Sequence, residues 1–291
     1  MKNISKLRSK ILITGSTGFL GKNILNFLIK EKFKIYDILR LTNKKKIIKK
    51  NNYIPIFFKN FKNLNSSLKK INPNIIIHCA THYTLKTDHQ SIDKMINANI
   101  SFGTSLLQSF HNKKIIFINF GSMMEHSASN PNVPENFYAL TKSFFNQIQD
   151  YYLMRRSKIK FYNLKLFETY GINDTRKKLI PTIIQNYKNK KTIYIKPGNL
   201  RLNLINCNNI NNIIKKIIKK KLIPGTYIIK NKNFTIIREL IKKINKKLKN
   251  KIKVKFVGYK KIQQKKIIFP HINVVEKKKD IENFLISKLY E

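Results

Sequence analysis

Tyr138 and Lys142 are four residues apart, a spacing that can support proton transfer. On a helix, positions four apart share one face, so the phenol and the ammonium can point at the same place. A nearby ammonium favours the phenolate and makes tyrosine a usable proton donor and acceptor near neutral pH. The spacing alone is weak in a chain with 13 tyrosines and 60 lysines plus arginines. Ser122, which follows a strand-like apolar run, and a glycine-rich loop strengthen the prediction that Ser122, Tyr138 and Lys142 are catalytic.

The glycine-rich loop at 14–21 follows a strand pattern and precedes a helical one, the context that a dinucleotide-binding loop needs. Gly15 permits a tight turn, Gly18 lets the backbone approach a pyrophosphate, and Gly21 allows close packing of helix on strand. The helix N-terminus offers free N–H groups and a positive dipole end to phosphates. The spacing G-x-x-G-x-x-G, which differs from the more familiar G-x-G-x-x-G, therefore still predicts a dinucleotide site.

The end of the second predicted strand indicates which dinucleotide binds. An acidic residue there binds the ribose hydroxyls of NAD, whereas arginine accommodates the 2′-phosphate of NADP. Arg40 lies about 20 residues beyond the loop, the expected distance, whereas Asp37 comes too early and lies within the strand. We therefore expect NADP(H) rather than NAD(H), the alternative being that Arg40 is only a solvated charge in a very basic chain.

The elements that must position these residues alternate in the first half of the chain. Short apolar runs are followed by amphipathic stretches, the pattern of a parallel α/β sheet. After residue 170 the rhythm loosens and prolines separate short elements. Strands are predicted at 11–13, 33–39, 53–58, 75–77, 115–120 and 160–166, and helices at 21–32, 92–110, 138–155, 236–247 and 280–289.

Length and composition favour a folded cytoplasmic protein. The 291 residues, 42% hydrophobic, are enough to bury a sizeable core. No apolar run approaches the roughly 20 residues that span a bilayer, and the basic N-terminus lacks the pattern of a signal peptide. The two cysteines, Cys79 and Cys207, are too few and too distant for a disulfide framework or a zinc site, so we expect two reduced packing residues.

The formal charge of +46 would suit a nucleic-acid-binding protein. Lysine, isoleucine and asparagine are abundant together, as an AT-rich genome would produce, and the lysines are spread along the whole chain. The stretch 213–219 has apolar pairs at helical spacing, which indicates an amphipathic helix with a solvated basic face. We therefore do not expect nucleic acid as the main partner, although the charge should attract anionic ligands such as nucleotide diphosphates.

These motifs together resemble the extended short-chain dehydrogenase/reductase family of NAD(P)-dependent nucleotide-sugar epimerases, dehydratases and reductases. The loop at 14–21 matches the family's TGxxGFxG fingerprint completely, and Ser122, Tyr138 and Lys142 match its catalytic set. The segment 75–80 is similar to its strand ending in HxA, and Asn99 stands at the place of its helix asparagine. Further segments that resemble the family lie at 164–171, 201–210 and 224–227.

The resemblance implies a Rossmann-type doubly wound parallel sheet at 1–170, to which 203–229 returns, and a smaller substrate-binding lobe at 171–202 and 230–291. It also implies a homodimer joined through the helices at 92–110 and 138–155, and a nucleotide-diphosphate sugar as substrate. The cofactor-binding positions are then Gly15, Thr17, Gly18, Phe19, Leu20, Gly21, Arg40, Asn60, Phe61, Ala80, Asn99, Tyr138 and Lys142.

Substrate contacts are expected from two groups of residues, and planar guanidinium suits the pyrophosphate. They are Met123, Glu125, His126, Glu168, Arg176 and Arg201. No metal site is predicted, because His78 and His82 straddle a strand end instead of sharing a helix face. The chain departs from the family at Asn60, Asn203 and Asn209, where aspartate is usual, and at Ile172, where proline is common. The amide of Asn60 can both donate to and accept from adenine, so binding there is compatible with the change.

Within the family, 121–126 and 136–142 look most like CDP-abequose synthase-like nucleotide-sugar 4-ketoreductases. A sugar 4,6-dehydratase needs an extra acid and base directly after the serine, where this chain has Met123 and Met124, so dehydration is disfavoured. The expected function is NADPH-dependent reduction of a 4-keto-deoxysugar nucleotide in surface polysaccharide synthesis. A nucleotide-sugar 4-epimerase with tightly bound NAD remains an alternative. So does, in another class, a non-catalytic dinucleotide- or nucleic-acid-binding protein on the same fold.

Overall fold

The computed structural model describes residues 9–41, 50–59, 64, 68, 71–260, 269–274 and 280–291. The described residues divide into two units. The first unit takes its residues from 1–165, 214–228 and 265–270, and the second from 166–213, 229–264 and 271–291. Each unit contains a buried apolar cluster of its own.

A largely parallel sheet forms the centre of the first unit. Its strands are β1 (Lys10–Thr14), β2 (Lys34–Arg40), β3 (Tyr53–Phe58), β4 (Ile75–His78), β5 (Ile116–Ser122), β6 (Lys160–Leu166) and β11 (Gly225–Asn231). They lie in the order β11-β6-β5-β4-β1-β2-β3, and the pairs β1–β2, β2–β3, β1–β4 and β4–β5 are all parallel. The order reverses between β1 and β4, and ligands of such sheets bind at the carboxyl ends of the strands beside this switch point. The predicted Rossmann-type α/β sheet is therefore confirmed.

The central strands are continuously apolar because parallel sheets are covered on both faces. Leu12 of β1 and Ile76 of β4 are fully buried. They belong to one core cluster with Leu106 and Phe145 from the helices that cover this face. The helices of the first unit are α1 (Phe19–Lys30), α2 (His89–Ile96), α3 (Phe102–Phe110) and α4 (Phe137–Met154).

The helix predicted at 92–110 is interrupted. Between α2 and α3, the segment Asn97–Ser101 forms a single π-helical turn. Such wide turns are frequently found at functional sites. Asn99 lies in this turn and is buried. Apolar periodicity continues through the segment, which is why the sequence pattern predicts one unbroken helix.

The second unit is built from helices and short paired strands around a separate apolar cluster. Strand β7 (Glu168–Tyr170) pairs in parallel with β10 (Leu204–Asn206), and β8 (Ile193–Ile195) with β13 (Val254–Phe256). Strand β9 (Arg201–Leu202) pairs antiparallel with β12 (Thr235–Ile236). Strands of two or three residues are too short to show a periodicity, so the sequence does not predict them. The remaining elements of this unit are β14 (His271–Val274) and the helices α5 (Leu179–Lys188), α7 (Ile237–Asn245) and α8 (Asp280–Tyr290). The helix α6 (Cys207–Ile218) contributes residues up to 213 to the second unit and residues from 214 to the first.

The lysine-rich stretch after residue 207 forms an amphipathic helix, as predicted. In α6, Ile213, Ile214 and Ile217 are buried. Lys215 lies on the other side, where its Nζ is 2.8 Å from Oε1 of Glu31. Among the helices of the described residues, none is long and apolar enough to cross a membrane.

Gly103 of α3 packs directly against Phe145 of α4. A Cβ atom at Gly103 would lie 2.4 Å from both Cε2 and Cζ of Phe145, closer than real contacts allow. We expect Gly103→Ala to lower the free energy of unfolding by about 1–3 kcal/mol through overpacking, measured by urea unfolding. Combining it with Phe145→Leu should cost less than the sum of the two single changes. Strict additivity would show that this contact does not cause the loss.

Candidate active site

The glycine loop joins β1 to α1 and is held by close backbone contacts. Gly15 has a φ of +70°, which L side chains rarely adopt, and its carbonyl accepts a 3.0 Å hydrogen bond from the Gly18 amide. A Cβ at Gly21 would lie 2.2 Å from the Gly15 carbonyl oxygen. Gly18 precedes α1 and provides no side-chain cap for the first-turn amides. The loop therefore has the exposed helix N-terminus that binds a pyrophosphate.

A buried carboxylate on β2 holds this loop in place. Oδ2 of Asp37, in the middle of β2, accepts hydrogen bonds from the Ser16 hydroxyl at 2.7 Å and from the Tyr53 hydroxyl at 2.8 Å. Asp37 is 1% exposed. Burial raises the pKa of the Asp37 carboxyl above its ordinary value, and the two hydrogen bonds act in the opposite direction. Sequence spacing places Asp37 inside the strand but does not reveal its partners.

Arg40 is the last residue of β2 and is exposed. Parallel register pairs Thr14 with Ile38, so Arg40 lies at the same edge of the sheet as the glycine loop. The structure thus brings Arg40 to the edge where the adenosine end of a dinucleotide would bind. The predicted cofactor positions Asn60 and Phe61 lie outside the described residues.

The end of β4 approaches the loop most closely. A Cβ at Gly15 would lie 2.4 Å from the Ala80 amide nitrogen, and this amide donates to the Thr14 hydroxyl at 3.3 Å. His78 is buried, with Nδ1 2.9 Å from the same hydroxyl. Burial, assisted by the charge of Lys142, lowers the pKa of His78 to about 3, so the ring is neutral. Within the described ranges, no group of three or more His, Cys, Asp or Glu side chains is placed to hold a metal ion.

Asn99 uses its amide to tie three segments together. Its Oδ1 accepts from the Thr81 hydroxyl at 2.9 Å and the His82 amide at 2.7 Å. Its Nδ2 donates to the His82 carbonyl at 3.0 Å and to the Thr141 hydroxyl at 2.9 Å. The side chain of Asn99 in the π-helical turn therefore contacts α4 at Thr141, the residue before Lys142. A direct contact of Asn99 with the cofactor remains a prediction.

The predicted catalytic residues lie at the end of β5 and in the first turns of α4. Ser122 ends β5, and its hydroxyl accepts a 3.1 Å hydrogen bond from the Met124 amide. Asn136 caps α4 by accepting from the Ala139 amide at 3.0 Å. Tyr138 lies in the first turn, half-buried, with its ring edge-on to Tyr83 at a centroid distance of 4.9 Å. Lys142 follows one turn later on the same face and is 3% exposed.

The electrostatic environment of Lys142 follows from its burial. Burial lowers the pKa of the Lys142 ammonium most, Lys165 acts in the same direction, and the resulting pKa is about 8. Glu125 and Cys79 act in the opposite direction. Lys142 is therefore charged at neutral pH and begins to lose its proton in mildly alkaline solution.

The residues directly after Ser122 are buried or half-buried. Met123 and Glu125 are each 2% exposed and lie in a short 3₁₀ turn, Met123–Glu125. Both carboxylate oxygens of Glu125 are bound by protein groups. His126 is half-buried, with Nδ1 2.6 Å from the Pro131 carbonyl and its ring 5.5 Å from that of Phe269. Direct contacts of Met123, Glu125 and His126 with substrate remain predictions.

The other predicted substrate residues belong to the second unit. Glu168 and Lys178 form an ion pair of 3.1 Å and line a cavity of about 110 Å³. Arg176 forms two 2.8 Å contacts with the carboxylate of Asp174 and also donates to the Thr169 carbonyl at 2.7 Å. Arg201 is exposed on β9. Arg176 thus binds the residue that follows Glu168 in the chain. Its guanidinium already has a carboxylate partner in Asp174.

Sequence reasoning did not find Lys165 and Asn146, which bind Glu125 beneath Ser122. A signal for each is present in the sequence. Asn146 lies one further helical turn beyond Lys142, on the same face. Lys165 interrupts a buried strand whose residues 161–166 are all buried, and a buried lysine is rarely unpaired.

The glycine loop at the switch point of a doubly wound parallel sheet defines a dinucleotide-binding protein. Residues 11–229 match the NAD dependent epimerase/dehydratase family, and the chain belongs to this family. The family that the motifs resemble is thereby confirmed.

Named relatives are similar over nearly the whole chain. The CDP-abequose synthase of Yersinia pseudotuberculosis is 26% identical over 289 residues, which cover 96% of this chain and 99% of the relative. The dTDP-glucose 4,6-dehydratase of Bacillus anthracis, solved with NAD, has a TM-score of 0.76 at 20% identity, covering 97% and 96% of the two chains. The UDP-N-acetylglucosamine 4-epimerase of Methanobrevibacter ruminantium, solved with UDP-N-acetylmuramic acid, has a TM-score of 0.75 at 18% identity and covers 98% of both chains. At these identities the two structures show a shared fold.

The buried Asp37 predicts a distinct pH dependence of stability. Because the pKa of Asp37 is higher in the folded than in the unfolded chain, the folded state holds this proton more tightly. The stabilisation that comes from this difference in pKa is complete below pH 3.8, and it declines as the pH rises through the pKa of Asp37 in the folded state. The free energy of unfolding of the wild type, minus that of Asp37→Asn, should therefore fall from acid to neutral pH. The fall should be about 1.4 kcal/mol for each pH unit that separates the folded from the unfolded pKa, and urea unfolding across this range measures it.

A second variant tests the cause. Tyr53→Phe removes one hydrogen bond that stabilises the Asp37 carboxylate. Without this hydrogen bond the pKa of Asp37 in the folded state should rise further, so the decline in the stability difference should extend to higher pH. A difference between wild type and Asp37→Asn that stays flat with pH contradicts the assignment.

Proposed function

We propose that this chain is an NADP(H)-dependent nucleotide-sugar oxidoreductase that reduces the keto group of a 4-keto-deoxysugar nucleotide. The observation that carries this proposal is the buried, charged Lys142 one turn after Tyr138 on α4. Ser122 ends β5 at the carboxyl edge of the sheet, where the glycine loop also lies. Relatives named CDP-abequose synthase support a role in surface polysaccharide synthesis, for which we propose the cytoplasm as the location.

The glycine loop fits a dinucleotide. A side chain at Gly15 would collide with the backbone of Ala80, and a side chain at Gly21 would collide with the backbone of Gly15. The loop has no side chains at these two positions, so a pyrophosphate can approach its backbone. Its helix N-terminus has N–H groups and a positive dipole end for the phosphates. We assign Gly15, Thr17, Gly18, Phe19, Leu20 and Gly21 to this contact, and Arg40 to the 2′-phosphate of NADP(H).

The three catalytic side chains have complementary roles in reduction of a ketone. Bound nicotinamide cofactor supplies the hydride. The Tyr138 hydroxyl donates a proton to the oxygen that becomes the alcohol, and the Ser122 hydroxyl binds the same oxygen and orients it. The Lys142 ammonium favours the phenolate that Tyr138 becomes, because an opposite charge nearby stabilises the ionised form. Its pKa of about 8 keeps this charge present at neutral pH.

Dehydration is not supported by the residues after Ser122. The side chains of Met123 and Met124 have no acidic proton to transfer. Glu125, the next carboxylate, is 2% exposed and has both oxygens engaged. These residues leave proton transfer to Tyr138, which suits redox chemistry at a sugar carbonyl.

We propose that the nucleotide sugar is bound by the lobe at 171–202 and 230–291, together with Glu168 before it. We assign Arg176 and Arg201 to the pyrophosphate, which suits planar guanidinium, with Arg176 also holding Asp174. The cavity lined by Glu168 and Lys178 offers both a hydrogen-bond acceptor and a cation to a hydroxylated ligand. Met123, Glu125 and His126 were also predicted to contact substrate, and of these His126 is the least buried.

We also propose a homodimer through the helices at 92–110 and 138–155. Large apolar side chains on one side of α4 are exposed, with Phe144 and Met154 at 44% and 77%. Exposed apolar surface on a helix is typical of a protein–protein contact. A second chain on this face would cover it.

Tyr138→Phe should reduce kcat by about 10²–10⁴-fold, because it removes the proton donor and keeps the ring. The dissociation constant for NADPH should change much less than kcat, because Tyr138 is only one of the predicted cofactor contacts and the glycine loop is unaltered. Turnover is followed by nicotinamide absorbance with 4-keto-6-deoxysugars linked to CDP, dTDP or UDP. Tyr151→Phe, an exposed tyrosine on the same helix, is the matched control and should retain wild-type turnover. Unchanged activity of Tyr138→Phe would overturn the proposal.

Arg40→Ala should lower kcat/KM with NADPH by about tenfold or more, because hydrogen bonds to charged groups contribute about 1.5–3 kcal/mol. The value with NADH should stay nearly constant, since NADH lacks the 2′-phosphate. Lys34→Ala, at the opposite end of β2, should leave the ratio of the two values unchanged. A ratio that Arg40→Ala does not alter would remove the basis for NADP(H).

The alternative supported by the family is a nucleotide-sugar 4-epimerase, which uses the same three residues and regenerates its cofactor. Such an enzyme would purify with NAD bound and would interconvert sugars with no net oxidation of added NADPH. Cofactor analysis of the purified protein separates the two functions. A non-catalytic protein on this fold would show neither activity and would tolerate Tyr138→Phe.

A further inference from the structure

We propose that Glu125 and Lys165 form a buried ion pair that positions Ser122 and maintains the positive charge of Lys142. Both are positioning residues, because they act on the reaction through Ser122 and Lys142. For its catalytic meaning the inference rests on the proposed oxidoreductase function. Its contacts are all within the first unit.

Glu125 is bound on both oxygens. Oε1 accepts a 2.6 Å hydrogen bond from the backbone amide of Ser122, and the Ser122 hydroxyl accepts one from the Met124 amide. Oε2 accepts a 2.6 Å hydrogen bond from Nδ2 of Asn146 and contacts Nζ of Lys165. The carboxylate therefore joins the end of β5 to α4 and β6. It fixes the backbone from which the Ser122 hydroxyl projects.

The surroundings are shaped for this carboxylate. A Cβ at Gly121 would lie 2.6 Å from Oε1 of Glu125 and 3.2 Å from Cγ of Lys165, so glycine leaves the necessary space. The Lys165 ammonium also lies 5.3 Å from the centre of the Phe269 ring. The charge of Lys165 is thus held by a carboxylate and an aromatic face, both favourable partners for a buried cation.

Lys142 is faced by charged and titratable groups from several elements. Glu125 comes from the turn after β5, Lys165 from β6, and Cys79 and His78 from the end of β4. Asp150 of α4 is coupled to Lys165. Glu125 opposes the effect of burial on the Lys142 pKa more strongly than Lys165 adds to it. The pair therefore has a net effect that keeps Lys142 protonated.

A purely structural role would not require charge at these positions. Replacing a buried ion pair by well-packed apolar residues is often neutral or stabilising, so such a pair is weak evidence for stability. Here the carboxylate binds the Ser122 amide, Lys165 and Asn146, which lies one turn beyond Lys142 on α4, and its charge acts on the predicted catalytic Lys142. A position of this kind links the geometry of Ser122 to the charge of Lys142.

The experiment measures the protonation of Lys142 directly. Its rate of amine labelling is followed against pH by peptide mass spectrometry in the wild type and in single variants. Glu125→Gln removes the negative charge and should move the midpoint to lower pH. Lys165→Met removes the positive charge and should move it to higher pH. In the double variant the labelling midpoint should lie below the wild-type value, but by a smaller interval than in Glu125→Gln. The double variant decides the inference if either single variant fails to fold.

A matched control removes an ion pair elsewhere in the same unit. Lys215→Met breaks the contact with Glu31 and should leave the Lys142 midpoint unchanged. Opposite shifts in the two single variants support the inference. Unchanged midpoints, or shifts in the same direction, overturn it and leave the pair with a structural role only. Should the single variants not fold, a double-variant midpoint equal to or above the wild-type value overturns it.

Turnover provides the second readout. In Glu125→Gln, the alkaline decline of kcat should begin at lower pH than in the wild type, by the same interval as the labelling midpoint. At a pH above both midpoints, kcat should be lower than that of the wild type by about tenfold for each pH unit of this interval. The KM for NADPH should be unchanged at a pH where Lys142 is protonated in both proteins. If the wild type shows no turnover, the proposed function fails while the labelling midpoints still decide the inference. If turnover is present and the midpoints do not move, the inference alone fails.

Discussion

The burial of charge beneath the end of β5 is the constraint on which the first unit depends. Lys142, Glu125 and Lys165 are each at most 3% exposed. A buried ion loses several kcal/mol of hydration, which only close, well-oriented partners can offset. β5, α4 and β6 must therefore meet within hydrogen-bond distances around Glu125. The precision that the charges require is also the precision that a proton-transfer site requires.

The cofactor loop depends on a related constraint, the close approach of two backbones at the switch point. Gly15 packs so tightly on Ala80 that a methyl group cannot fit. The Thr14 hydroxyl binds the buried His78 ring, and this ring packs against Phe145 of α4 at 5.4 Å. The strand that carries the loop is thus connected through one aromatic contact to the helix that carries Tyr138. The loop and the proton donor are held by a common core.

The sequence predicted the parts of this site that depend on local pattern. The glycine loop, the strand that leads to Ser122 and the helix carrying Tyr138 and Lys142 follow from spacing and periodicity along the chain. The π-helical turn at Asn99 could not be predicted, because the apolar pattern continues through it and the amide partners lie in other segments. Glu125 was expected to be accessible to substrate, since a sequence shows that a carboxylate follows Ser122 but not which way it points. Its partner Lys165 comes from β6, and pairings between distant strands leave no mark in a single sequence.

Burial separates the informative lysines from the many that only carry charge. A chain with 60 lysines and arginines against 14 acidic residues offers little information in any one cation. Most such side chains can remain hydrated, as Lys215 of α6 partly does, with its side chain 38% exposed beside Glu31. Among the described residues, the buried lysines are Lys142 and Lys165, and both interact with Glu125. In a composition biased towards lysine, substitution to this residue is frequent, but retention at a buried position requires a partner of opposite charge. Of the two lysines that meet this requirement, Lys165 contacts the carboxylate that binds the Ser122 amide, and Lys142 lies one turn after Tyr138 on α4.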